Sequence, residues 1–106
     1  MISRPRVLMA ALAVAACAPL AQAQTADALY LRGLAATCAN CHGTNGRTVE
    51  GSAVPGLAAM PREYMLRQLH AFRDGSRPAT VMHQITKGFT VPQLEQIATY
   101  FAAQKK

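Results

Sequence analysis

Cys38-Ala39-Asn40-Cys41-His42 is the stretch on which the reading of this chain turns. Two cysteines three residues apart, with histidine directly after the second, form the attachment pattern of a c-type haem. The spacing has a physical reason. Residues three apart on a helix share a face, so both thiols can reach the two vinyl groups on one porphyrin edge, and His42 projects beneath the ring to the iron. C-x-x-C also occurs as a thioredoxin-like redox pair and as half of a zinc site. A redox pair normally opens a helix after a strand, whereas Ala28 to Thr37 reads as helix leading into the motif. A four-ligand zinc site needs a second pair, and no cysteine follows Cys41. Cys38 and Cys41 are therefore expected to carry one covalent haem c, with His42 as an axial iron ligand.

Upstream of the motif, Ala28, Leu31, Leu34 and Ala35 recur at helical spacing. Gly33 sits among them at a cost in helix propensity, as glycine often does where another helix crosses closely. The start of the chain reads differently. Arg4 and Arg6 precede an apolar run from Val7 to Ala16, and Ala21-Gln22-Ala23 supplies a small-x-small cleavage pattern. This is the layout of a secretory signal, with an apolar run too short for a permanent membrane anchor. Residues 1–23 are expected to be removed, leaving 24–106 as a single periplasmic domain. Cys17 follows Val14-Ala15-Ala16, which resembles a bacterial lipobox; lipidation there would tether the protein to a membrane. The cleavage pattern downstream favours reading Cys17 as an apolar residue of a discarded segment.

The composition agrees with a small domain in need of a prosthetic group. The 106 residues allow one domain, and the 51% hydrophobic content is raised by the leader. The remainder has no Trp, three Tyr and three Phe, few large apolar groups for a core at a length where cores are marginal. Loss of Arg4 and Arg6 lowers the eleven basic residues to nine against five acids, a net charge of +4 before two haem propionates. Such a balance suits an acidic partner surface or plain solubility. No basic run interleaves with aromatics, so nothing indicates nucleic-acid binding.

Downstream, Gly43 to Leu57 reads as loop, with Pro55 placed to wall the proximal face of a haem. Pro61 to Arg73 reads as a second helix with Pro61 in its first turn. Met65, Leu69 and Phe72 make its stripe, supported by Leu66, and Asp74-Gly75-Ser76-Arg77-Pro78 stops it. Thr80 to Thr86 suggests a short helical turn broken by Gly88. The last helix starts at Thr90, with Gln93 completing a capping box and Pro92 in the first turn. Leu94, Ile97, Ala98 and Phe101 line one of its faces, and Lys105 and Lys106 are expected to close it against the helix dipole. With no strand or repeat legible, the expected fold is all-α, three to five helices around one haem.

A second axial ligand decides what such a haem can do. A Met sulfur gives a six-coordinate carrier with a raised potential; an open position would admit a gas. The candidates are Met60, Met65, Met82, His70 and His83. Met60 comes too soon after His42, with a helix still to follow, Met65 belongs to an apolar stripe, and His70 lies within a helix. Met82, forty residues beyond His42, falls where the chain must return over the open face of the ring. His83 beside it would make bis-His iron if it served instead, and a core methionine is the plain alternative for Met82.

From Ala28 to Gln104 the chain resembles the small class I cytochromes c. The nearest likeness is to the cytochrome subunit of flavocytochrome c sulfide dehydrogenase and to the repeat unit of dihaem cytochromes c. The stretches that carry it are Cys38 to Gly43, Val54 to Ala58, Tyr64 to Gly75, Arg77-Pro78, Val81-Met82-His83 and Leu94 to Phe101. The resemblance implies that Met82, seven residues before Phe89, is the iron ligand. It implies that the first and last helices cross near Gly33 with Tyr100 and Phe101 against them. It also implies that a carbonyl near Pro55 orients His42 by accepting its other ring N–H. Where this chain has Ala59-Met60 the family often has Gly-Gln or Gly-Leu, so Met60 could touch the haem rim.

The function expected on these grounds is one-electron transfer with no bond made or broken at the haem. The carrier would be either a free shuttle or the non-catalytic haem subunit of a flavin-containing dehydrogenase that oxidises sulfide or a related sulfur compound. The alternatives are a gas-binding or sensing haem protein with a weak or open sixth position, and a haem-free helical domain.

Overall fold

Thr25 begins the folded part of the chain by capping its first helix: its hydroxyl accepts from the Ala28 N–H at 3.2 Å. The structure is a computed structural model that describes residues 24–106. The signal segment expected over 1–23, Cys17 included, lies outside the described residues. Helix α1 spans Ala26–His42, so it does not stop at Thr37 but carries the whole Cys38–His42 motif on its last turns. It ends at Gly43, whose N–H donates to Ala39 O at 2.9 Å. A single 3₁₀ turn over Thr44–Gly46 follows, then an irregular segment to Pro61.

Helix α2 spans Arg62–Asp74 with Pro61 as its cap rather than inside its first turn, and Gly75 ends it in the left-handed region. A six-residue helix, α3, covers Met82–Lys87. Helix α4 covers Val91–Ala102. Its capping box forms as the Thr90/Gln93 spacing requires: the Thr90 hydroxyl accepts from Gln93 N at 3.3 Å, and Gln93 Oε1 accepts from Thr90 N at 2.9 Å. The helix closes at Ala102, so Lys105 and Lys106 lie beyond it, and the Lys105 carbonyl instead accepts from Arg47 Nε at 2.7 Å. Among the described residues there are four α-helices and no strand, within the expected all-α architecture.

The core gathers where α1, α2 and α4 meet. Ala35, Met65, Ile97, Ala98 and Phe101 form one buried cluster, with Ala98 and Phe101 fully enclosed. α1 and α4 therefore pack together, but not at Gly33. Gly33 is exposed, and a Cβ built on it would meet nothing within 4 Å. Ala35, two residues on, faces inward with the small side chain that the close approach needs. Tyr100 stands edge-on to Phe101, ring centroids 5.3 Å apart, and so braces the same crossing from its rim.

The segment between α1 and α2 is fastened to α4. Gly46 O accepts from both Leu57 N (2.8 Å) and Ala58 N (3.1 Å), and Ala59 N donates to Phe101 O at 3.0 Å. Gly46 is buried at φ +77, and a Cβ there would come within 2.8 Å of Ala58 N and of Phe101 Cδ1. Backbone thus packs directly on an aromatic ring, which only glycine permits.

Candidate functional site

Because α1 runs unbroken through Cys38 and Cys41, the two thiols lie on one side of its final turns, as the three-residue spacing requires. Cys41 is exposed and Cys38 half-buried, and neither is in a disulfide. Burial pushes the Cys38 thiol above its ordinary range, and the Thr37 hydroxyl, 3.9 Å from the sulfur, opposes this. Among the described residues no group of three or more His, Cys, Asp or Glu side chains is arranged to hold a metal ion.

His42 is the last residue of α1, and its ring is oriented from across the loop. Nδ1 lies 2.6 Å from the Pro55 carbonyl. A carbonyl only accepts, so Nδ1 carries the proton and Nε2 is left unprotonated, with its lone pair available to a ligand. The hydrogen bond makes the imidazole a stronger donor and holds its plane. Pro55 therefore contributes its backbone oxygen.

The other candidates fall into separate surroundings. Met65 is 3% exposed within the core cluster. Met60 is half-buried and packs against the same cluster. His70 is a half-buried residue of α2, close enough to Asp74 to help hold that carboxyl low. Met82 opens α3 and is half-buried. Its carbonyl accepts from the hydroxyl of Thr86 at 2.8 Å, and Thr86 is the buried residue of that helix. His83, the next residue, has a buried Nδ1 with no partner.

Two contacts that hold these segments are not legible locally. Arg73 Nη1 donates to Phe89 O at 2.6 Å, tying α2 to the turn between α3 and α4. Tyr100 Oη donates to Asn45 Oδ1 at 2.7 Å, tying α4 to the 3₁₀ turn after the motif. Asn45-Gly46 is a turn signal in itself, but its partner fifty-five residues away is not.

The residues present fit a covalently held haem. They offer two thiols three apart on one helix and, directly after the second, an imidazole with Nδ1 engaged and Nε2 unprotonated. Leu34, Leu57, Met60, Leu66, Leu69 and Phe89 pack against the core but stay half-buried, an apolar surface of the kind a porphyrin covers. The cytochrome c family model matches residues 32–103, more than half of the chain. The chain belongs to the cytochrome c family. Its relatives are electron-transfer proteins, and the family carries covalent haem c, for which Cys38, Cys41 and His42 supply the motif here. The chain is 38% identical over 73 residues to the cytochrome subunit of sulfide dehydrogenase of Chlorobaculum tepidum, covering 69% of this chain and 64% of that one. It is 37% identical over 71 residues to the thiosulfate dehydrogenase electron acceptor of Thiomonas intermedia, covering 67% of this chain and 33% of that protein. Among solved structures, the cytochrome c4 of Acidithiobacillus ferrooxidans matches with a TM-score of 0.65 at 28% identity, over 78% of this chain and 52% of that one. The chain thus spans from about a third to just under two thirds of the length of these relatives. No helix among the described residues is long and apolar enough to cross a membrane.

Proposed function

We propose that this cytochrome is an exported, periplasmic one-electron carrier whose single haem is held by thioethers from Cys38 and Cys41 and by axial bonds from His42 and Met82. The hydrogen bond from His42 Nδ1 to the Pro55 carbonyl carries this reading, because it fixes the ring and leaves the Nε2 lone pair free for the iron. When bound, the group supplies one-electron chemistry by exchange between ferric and ferrous iron. The chain's part is to fix the ligands and exclude water. Residues 38–42 sit on a continuous helix, the Pro55 carbonyl holds the imidazole plane, and Met82 is presented by a short helix anchored through buried Thr86. Half-buried Leu57, Leu66, Leu69 and Phe89 provide an apolar surround. Exposed Cys41 marks a corner of the molecule where a redox partner can approach.

In this reading residues 1–23 are a cleaved export signal. The donor is a dehydrogenase acting on a reduced sulfur compound, with a flavin-containing sulfide dehydrogenase ahead of a free-shuttle role. Two relatives, named for sulfide and thiosulfate dehydrogenases, support that direction. The test is spectroscopic. The oxidised haem-loaded protein should show the weak long-wavelength band of Met–iron(III) ligation, and Met82→Ala should lose it and bind carbon monoxide when reduced. A wild-type protein that lacks the band and binds carbon monoxide readily overturns the Met82 assignment and favours gas binding. Copurification with a larger flavoprotein from native extract would support the dehydrogenase partner, and elution alone would oppose it.

A further inference from the structure

The Pro55 carbonyl that orients His42 belongs to a segment with no regular structure, so something outside that segment must hold it still. The contacts trace to Tyr100. Its hydroxyl donates to Asn45 Oδ1 at 2.7 Å in a partly buried position. Asn45 stands in the left-handed region at φ +54, in the centre of the 3₁₀ turn. The next residue, Gly46, receives the N–H groups of Leu57 and Ala58 on its carbonyl. Leu57 lies two residues after Pro55, whose oxygen is 2.6 Å from His42 Nδ1. Three sets of hydrogen bonds joined by one- and two-residue stretches of backbone therefore connect α4 to the imidazole.

We propose that Tyr100 and Asn45 form a positioning brace that sets the hydrogen bond between His42 and the Pro55 carbonyl, and through it the reduction potential of the haem. The proposal rests on His42 being the axial ligand. Two further contacts join this loop to α4, Gly46 against the Phe101 ring and Ala59 N on Phe101 O, so the loop stays folded when the hydroxyl is removed. What changes is the freedom of the turn, and with it the placement of the carbonyl. A weaker bond from Nδ1 lowers the basicity of the ligating nitrogen, which favours ferrous iron and raises the potential.

The test uses the haem-loaded protein and three variants. Tyr100→Phe removes the hydroxyl and keeps the ring against Phe101. Asn45→Gly removes the acceptor while easing the positive φ, and Asn45→Asp keeps an acceptor. The first two should each shift the ferric/ferrous equilibrium toward ferrous by roughly threefold, about 30 mV at 59 mV per tenfold for one electron. Each should also change the spread of paramagnetically shifted haem-methyl resonances, which reports the imidazole plane. The Tyr100→Phe/Asn45→Gly double variant should shift no further than either single one, because the two residues act as one unit, and Asn45→Asp should keep the wild-type spread. Variants that lose thermal stability while potential and haem-methyl spread stay at wild-type values overturn the brace. Failure of the underlying ligation reading would show separately, as a wild-type ferric spectrum without shifted His42 ring protons.

Discussion

Ala59 is a non-glycine residue in the left-handed region, at φ +60. It is exposed, so its methyl group buries little, while its N–H is tied to Phe101 O at 3.0 Å and its conformation cannot relax freely. A left-handed L-residue costs roughly 1–2 kcal/mol. Replacing it by glycine removes that strain but returns about 0.4–1 kcal/mol through the greater freedom of the unfolded chain. Ala59→Gly should therefore stabilise the haem-loaded protein by about 0.5–1 kcal/mol, a rise of roughly 3–6 °C in Tm for a domain of this size. The assay is thermal melting followed by helical circular dichroism. Gly75→Ala is the mirror control: Gly75 also has positive φ (+84), with open space where the added methyl group would project, so only backbone strain is introduced. It should cost about 1 kcal/mol. A Tm for Ala59→Gly at or below the wild-type value, with Gly75→Ala lowered as expected, would refute the strain reasoning.

Gly46→Ala combines positive φ with a Cβ within 2.8 Å of Ala58 N and Phe101 Cδ1, and should cost about 2–4 kcal/mol in urea unfolding of the haem-loaded protein. Arg73→Met leaves the partly buried Phe89 carbonyl without its donor; it should lower stability by about 1–3 kcal/mol and move loss of the Met–iron band to lower urea. Asp74 is held below the usual carboxylate range by hydrogen bonds from Ser76, with the charge of His70 adding. Its folded value is depressed, so its contribution is present above the ordinary aspartate range and is lost as pH falls through the lowered value. Asp74→Asn should flatten that part of an acid titration of stability.

What the chain declares without its structure is local chemistry. Cys38, Cys41 and His42 announce their role by spacing, and Thr90 with Gln93 announces a helix start, because each set lies within one or two helical turns. The helix boundaries differ from the local reading where a neighbour decides them: Pro61 is a cap, and α4 stops at Ala102 before its lysines. Glycine suggests close approach and so points to Gly33 for the helix crossing, yet Ala35 makes the contact. Gly33 and Ala35 sit two positions apart, on different sides of the helix, and only the partner helix says which side is inward. The carbonyl at Pro55 is legible through family likeness alone, since no residue type advertises a backbone acceptor. Tyr100 with Asn45 and Arg73 with Phe89 are contacts between distant segments, and no local pattern encodes them.

The two proposed axial ligands are held by very different means. His42 ends a seventeen-residue helix, and its orienting loop is fixed to α4 by Gly46, Ala59 and Asn45. Met82 opens a helix of six residues, far shorter than an isolated helix needs to persist in water. That short helix depends on the Thr86 hydroxyl turned back to Met82 O and on Arg73 gripping the Phe89 carbonyl just beyond it. The weaker support lies on the methionine side, so partial unfolding should release Met82 while His42 and the two thioethers still hold the haem. Local opening energies differ across a fold in this way whenever one segment has fewer buried contacts than another. Under rising denaturant the Met–iron band should therefore disappear before the helical signal of α1 and α4 falls.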